Sequence, residues 1–141
     1  SESLPLFSPD IETPQGLMSF CSMEEVSQQD RCFEGMLYVL TAQFNFDSQK
    51  IHDFCLGLPN NRQARCFADA ASRMIETDYR NIDKSVEFCS NSQTETNKQV
   101  CFAELVKFST FNFHAGSPEF LKLRNALPGN WKTQCLSGNV K

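Results

Sequence analysis

Paired phenylalanines and cysteines recur along this chain at a nearly constant interval, and that period restricts the fold more than any other feature. Phe20-Cys21 returns as Phe54-Cys55 and Phe88-Cys89, at spacings of 34 and 34; the reversed pair Cys32-Phe33 returns as Cys66-Phe67 and Cys101-Phe102, at 34 and 35. Each copy reads Phe-Cys, ten or eleven residues rich in polar types, then Cys-Phe. A fixed period in this range means one supersecondary unit per copy, which buries its apolar face against its neighbours. A fourth copy is damaged: Leu58-Pro59-Asn60-Asn61 is echoed 69 residues later by Leu127-Pro128-Gly129-Asn130, but Cys55 maps onto Arg124. Cys135 therefore lacks its expected partner, and the copy reads either as a cap or as part of a longer array.

Helix-start residues fall on the same period. Thr13, Asp47 and Asn81 are all N-cap types whose side chains can accept a free helical N–H, and Pro14 suits the first helical position. Ser117-Pro118 repeats Thr13-Pro14. These residues predict a first helix in each unit near 14–22, 48–57, 82–90 and 118–126. Ile51, Phe54, Cys55 and Leu58 form an i, i+3, i+4, i+7 stripe that supports the second of these. Second helices are expected over about 31–44, 64–77 and 99–110, with Phe33, Met36, Leu37, Leu40 and Phe44 on one face, and Phe67, Ala70, Ala71 and Met74 in the next copy. The predicted fold is all-α, a right-handed stack of antiparallel helical hairpins with a repeat of about 34 residues. It comprises an N-terminal extended segment over residues 1–12 and a single repeat domain over 13–141, with three full repeats and an incomplete fourth.

In such a hairpin the two cysteines of a unit lie side by side, so the expected bridges are Cys21–Cys32, Cys55–Cys66 and Cys89–Cys101. Six cysteines admit fifteen pairings, and this one alone keeps the copies equivalent. Bridges of this kind belong to an oxidising compartment, which points to a secreted, periplasmic or cell-surface protein. Zinc is not expected, since neither His52 nor His114 stands near a cysteine pair at ligand spacing. No stretch approaches the ~20 apolar residues of a membrane span. A net charge of −4 argues against nucleic acid as the main partner.

A 34-residue helix–turn–helix period is similar to the tetratricopeptide and Sel1-like repeats, and Gly35, Tyr38 and Pro59 fall at the spacings of that family's glycine, tyrosine and helix-ending proline. The family's tryptophan is absent, and Asp69 stands where the second copy would carry its glycine. The resemblance implies a disulfide-stapled binding scaffold without chemistry of its own. The cysteine spacing is also similar to the paired Cys-x9-Cys motifs of mitochondrial coiled-coil-helix proteins, which would imply a subunit of the intermembrane space. Nine intervening residues place both cysteines on one helical face, whereas the segments here read as loops around Pro59-Asn60-Asn61 and Ser90-Asn91-Ser92.

No catalytic constellation, glycine-rich phosphate loop or cofactor motif stands out, so an enzyme is not expected. His52 beside Asp53 suits general-base work in principle, but reads better as part of a solvated face. The expected function is an exported protein–protein interaction scaffold or structural subunit, with a small apolar-ligand carrier as the alternative of a different class. Gln49, Lys50, His52, Asp53, Asp83 and Lys84 on the first helices, together with Trp131, are the candidate partner surface. Phe44-Asn45-Phe46 and Phe111-Asn112-Phe113 each follow a second helix and are expected to plug the junction between hairpins, or else to form an exposed patch. Cys135 is a free thiol, bridges to another chain, or pairs with a cysteine outside these 141 residues. Residues 1–30 carry six acidic and no basic side chains, and residues 98–141 six basic and two acidic ones, which suggests head-to-tail contact between copies.

Overall fold

The structure, a computed structural model, describes residues 11–132. These residues are helical throughout, with no strand among them: α1 (Pro14–Ser22), α2 (Val26–Gln43), α3 (Ser48–Leu56), α4 (Asn60–Thr77), a 3-10 turn (Tyr79–Asn81), α5 (Ile82–Ser90), α6 (Glu95–Asn112) and α7 (Pro118–Ala126). Among the described residues, α-helices of 9 and 18 residues alternate without exception. Residues 1–12 of the expected N-terminal segment lie outside the described residues save Ile11 and Glu12, which form a turn, and Cys135 lies outside them altogether.

Short helices begin where their caps predict. Thr13 Oγ1 accepts from Gly16 N at 3.0 Å, Asp47 Oδ1 from Gln49 N and Lys50 N at 3.0 and 3.1 Å, and Ser117 Oγ from Phe120 N at 3.2 Å. Asn81 departs from the expectation. Its amide donates to Met74 O at 3.0 Å instead of accepting a helical N–H, and the capping passes to Asp78, which accepts from Arg80 N at the head of the 3-10 turn. Arg80 also donates side-chain bonds to Asp78 and holds its carboxyl below the ordinary value.

Long helices begin four or five residues before the sequence places them, at Val26, Asn60 and Glu95. Their opening turns are mostly polar, and exposed at Ser27-Gln28 and Asn60-Asn61, and with no apolar stripe the helical period does not show. The turns between short and long helices shrink accordingly to Met23–Glu25, Gly57–Pro59 and Asn91–Thr94. The last carries the extra residue behind the spacing of 35, and Gln93 accommodates it with a φ of 80°.

The chain divides into two compact units, Ser1–Gln63 and Ala64–Lys141, with the boundary inside α4. In the first unit α1 packs on α2. Cys21 and Cys32 are 11 residues apart, yet their Cα atoms stand 5.5 Å apart and their sulfurs are bonded. A continuous helix would separate them by about 16 Å, so the chain turns back on itself. Leu17, Cys21, Phe33, Leu37, Leu40, Ile51, Phe54, Cys55 and Leu58 form the buried core of this unit. Met36 and Phe44, expected on the same face, are half-buried, with the Phe44 ring 5.7 Å from that of Phe54.

Helix α2 ends in a Schellman arrangement: Phe46 N donates to Thr41 O at 3.0 Å and Asn45 N to Ala42 O at 2.9 Å, with Asn45 at φ 56°. Gly57 allows its turn to approach α1. A Cβ there would meet Pro14 Cγ at 2.5 Å, and the pyrrolidine ring cannot swing aside. Gly57→Ala is expected to lose about 1–3 kcal/mol of stability by overpacking. Pro14→Ala in the same background should restore most of it, and urea denaturation of the three variants measures both.

In the second unit α5 packs on α6, α7 and the 3-10 turn, and α6 on α7. Cys89 and Cys101, 12 residues apart, are bonded with a Cα separation of 5.5 Å. Phe67, Ala70, Ala71 and Met74 are all buried, as their spacing predicts, alongside Ile75, Ile82, Phe88, Phe102, Leu105, Val106, Phe120, Leu123 and Leu127. The buried Ser85 hydroxyl donates to Ala71 O and ties α5 to α4. Arg65 ties α4 to α6, donating to Asp69 at 3.0 Å and Glu104 at 2.6 Å. Burial alone would lower the Arg65 guanidinium, but the two carboxylates outweigh it and hold the pKa above its ordinary value. Cys55 and Cys66 are each disulfide-bonded as well, and the chain holds three intrachain cysteine pairs in all. Three such pairs are consistent with an oxidising compartment.

Candidate partner-binding surface

In the first unit Asp47 caps α3 and thereby sets which residues face outward. Gln49, Lys50 and Asp53 are exposed, and the Gln49 amide donates to Asp53 Oδ1 at 2.9 Å across one helical turn. His52 differs from its expected place on a solvated face: its side chain is only 17% exposed, with Nδ1 3.3 Å from Asp53 Oδ1. It flanks the buried Ile51, and burial of the imidazole body leaves little of it for a partner. In the second unit Asp83 is exposed and Lys84 half-buried, both in the first turn of α5.

The phenylalanine segments divide between the two expectations. Phe113 is half-buried, edge-on to Tyr79 at 5.2 Å and to Phe108 at 5.7 Å, whereas Phe111 is 77% exposed. Thus one ring of the second segment packs and the other faces solvent. His114 is exposed.

Trp131 is half-buried in the second unit, its ring 6.1 Å from that of Phe102 and tilted by 32°. It lines a groove of about 350 Å³ with Glu95, Lys98, Gln99, Phe102 and the Pro128–Asn130 turn. Glu95, Lys98, Gln99 and Phe102 are spaced i, i+3, i+4 and i+7, which brings them to one face of α6. A smaller groove of about 200 Å³ is lined by Tyr79, Arg80, Ile82, Pro118, Glu119 and Lys122. Among the described residues no group of three or more His, Cys, Asp and Glu is placed to hold a metal ion, and no helix is long and apolar enough to cross a membrane.

A recurring contact escaped the sequence reading. The side-chain amide of Gln29 donates to Glu24 O at 3.2 Å, that of Gln63 to Leu58 O at 3.0 Å, and that of Asn97 to Ser92 O at 2.8 Å. Each bond satisfies a carbonyl in the turn between a short and a long helix. The three amides stand 34 residues apart, so the period did contain the signal. A second correspondence links the two units' surfaces. In the first, Arg62 lies 4.2 Å over the Phe33 ring and pairs with Asp30. The positions 69 residues later are Trp131, Phe102 and Gln99, the floor and wall of the larger groove. An ion-paired cation in one place is an aromatic ring beside an open groove in the other.

Comparison with known proteins gives no match, whether to a family model, a curated protein or a solved structure.

Proposed function

We propose that this chain is a rigid, exported protein–protein interaction module: an α-solenoid of disulfide-stapled hairpins akin to tetratricopeptide and Sel1-like repeats, binding a protein partner through its exposed polar faces and catalysing nothing. The observation that carries this reading is the recurrence of one turn design. At each passage from a short to a long helix an amide from the long helix satisfies a turn carbonyl, and at the first and third of them a cysteine pair spans the same turn. Repeats built this way stack on their neighbours and present extended binding faces. Charged side chains line both grooves, Glu95 and Lys98 in one and Arg80, Glu119 and Lys122 in the other, which suits a protein surface better than an apolar small molecule.

Photo-crosslinking residues placed at Gln49 and Asp83, with Glu34 and Glu76 on the long helices as controls, test the reading. After exposure to extracellular and periplasmic-type extracts of the source cells, discrete adducts are expected from the first two positions and not from the controls. Equal labelling at all four positions, or none at any, would sink it.

A further inference from the structure

We infer that the groove beside Trp131 receives the turn between α1 and α2 from a second copy of this chain, so that the protein associates head to tail. The inference rests on the scaffold reading and names its partner. The donor surface is Met23-Glu24-Glu25-Val26. Met23 is 64% and Val26 84% exposed, and the two glutamates between them are exposed as well. Two apolar side chains on either side of two carboxylates, all turned outward, make a surface that suits a partner both apolar and basic.

The receiving surface is complementary in both respects. Trp131 and Phe102 supply an aromatic floor in a groove of about 350 Å³, enough for a few side chains but not for a helix. Lys98 stands at its wall and the exposed Lys132 follows Trp131 directly. Glu95 also lies at the rim, but it accepts from the Gln99 amide at 2.9 Å, which occupies part of its capacity. The same polarity runs through the wider sequence: residues 1–30 carry −6 and residues 98–141 carry +4. Where the equivalent position of the first unit is closed by Arg62 paired to Asp30, here Trp131 and Gln99 leave it open, with Lys98 at the wall. A second copy's Glu24 and Glu25 would face Lys98 and Lys132.

Because donor and receiver are different patches on one chain, the contact is heterologous and grows into rings or filaments, not a closed two-fold dimer. Its electrostatic part weakens as added salt shortens the screening length.

The experiment uses the full, disulfide-intact chain and its single tryptophan. Sedimentation and Trp131 emission are followed across protein concentration at low and high salt. The weight-average mass should rise at least twofold at low salt, with a parallel blue shift of the emission, and both should fall back at high salt. E24K/E25K and K98E/K132E should each be monomeric alone, and mixing them should restore association, since each then offers the charge the other's groove or turn requires. A monomer under all conditions overturns the inference. So does association that leaves Trp131 emission unchanged, that survives both charge reversals, or that stops at a symmetric dimer. Any of those results leaves the crosslinking outcome at Gln49 and Asp83 untouched, so the two readings fail separately.

Discussion

Replacing Cys89 and Cys101 together by alanine is expected to destabilise the protein by about 3 kcal/mol and to lower its thermal midpoint by roughly 10 °C. The bridge closes a loop of 12 residues between α5 and α6, and both cysteines are fully buried. In the unfolded chain that loop is a large constraint, because the two ends would otherwise sample many separations. Alanine removes the link while leaving a small apolar group in the core, so packing changes little by comparison. The check is internal: the difference between wild type and variant should vanish when both are unfolded in reducing buffer. A difference that persists under reduction would assign the effect to packing and not to the link.

Phe67→Ala is expected to cost about 3–5 kcal/mol, the range for removing a fully buried aromatic side chain. Phe67 has no exposed surface, and its ring lies 5.3 Å from that of Phe88, across the contact between α4 and α5. Truncation loses the transfer free energy of the ring and leaves a cavity that these two helices cannot close without moving. Phe111→Ala is the matched control. With 77% of its surface exposed it should shift stability by no more than about 0.5 kcal/mol. Urea midpoints at unchanged slope measure both effects. Equal losses for the two substitutions would contradict the assigned core.

The short helices were legible almost to the residue, because Thr13, Asp47 and Ser117 each cap a helix and the apolar stripes begin immediately after them. Long helices were legible only from their buried halves. Residues 60–63 are all polar, and a polar helical turn of this kind is indistinguishable in sequence from a loop until its backbone bonds are seen. Asn81 departs from its expected capping role for a related reason: an asparagine amide is both donor and acceptor, and only the presence of Met74 O within reach decides which role it takes. The exposure of Phe111 against the packing of Phe113 likewise depends on where the Tyr79 and Phe108 rings lie.

For the candidate surface the balance is different. Gln49, Lys50, Asp53 and Asp83 were readable as outward-facing, since they lie opposite apolar stripes on capped helices. His52 was not, because a residue at the edge of a stripe is buried or exposed according to its neighbours in space. Trp131 stood out by its rarity, but the groove that gives it meaning depends on Phe102 and Gln99 being carried beside it by α6.

By itself the sequence determined the helical class and the period of 34 to 35 residues and favoured one cysteine pairing among fifteen, because each rests on local chemistry repeated in register: caps, stripes and pairs that recur within every copy. Tertiary structure alone decided which polar residues close the turns, which aromatic rings pack and which face solvent, and where a groove opens. Those outcomes depend on contacts between residues distant in sequence, and the pattern of residue types along a chain does not specify such contacts until the backbone has brought them together.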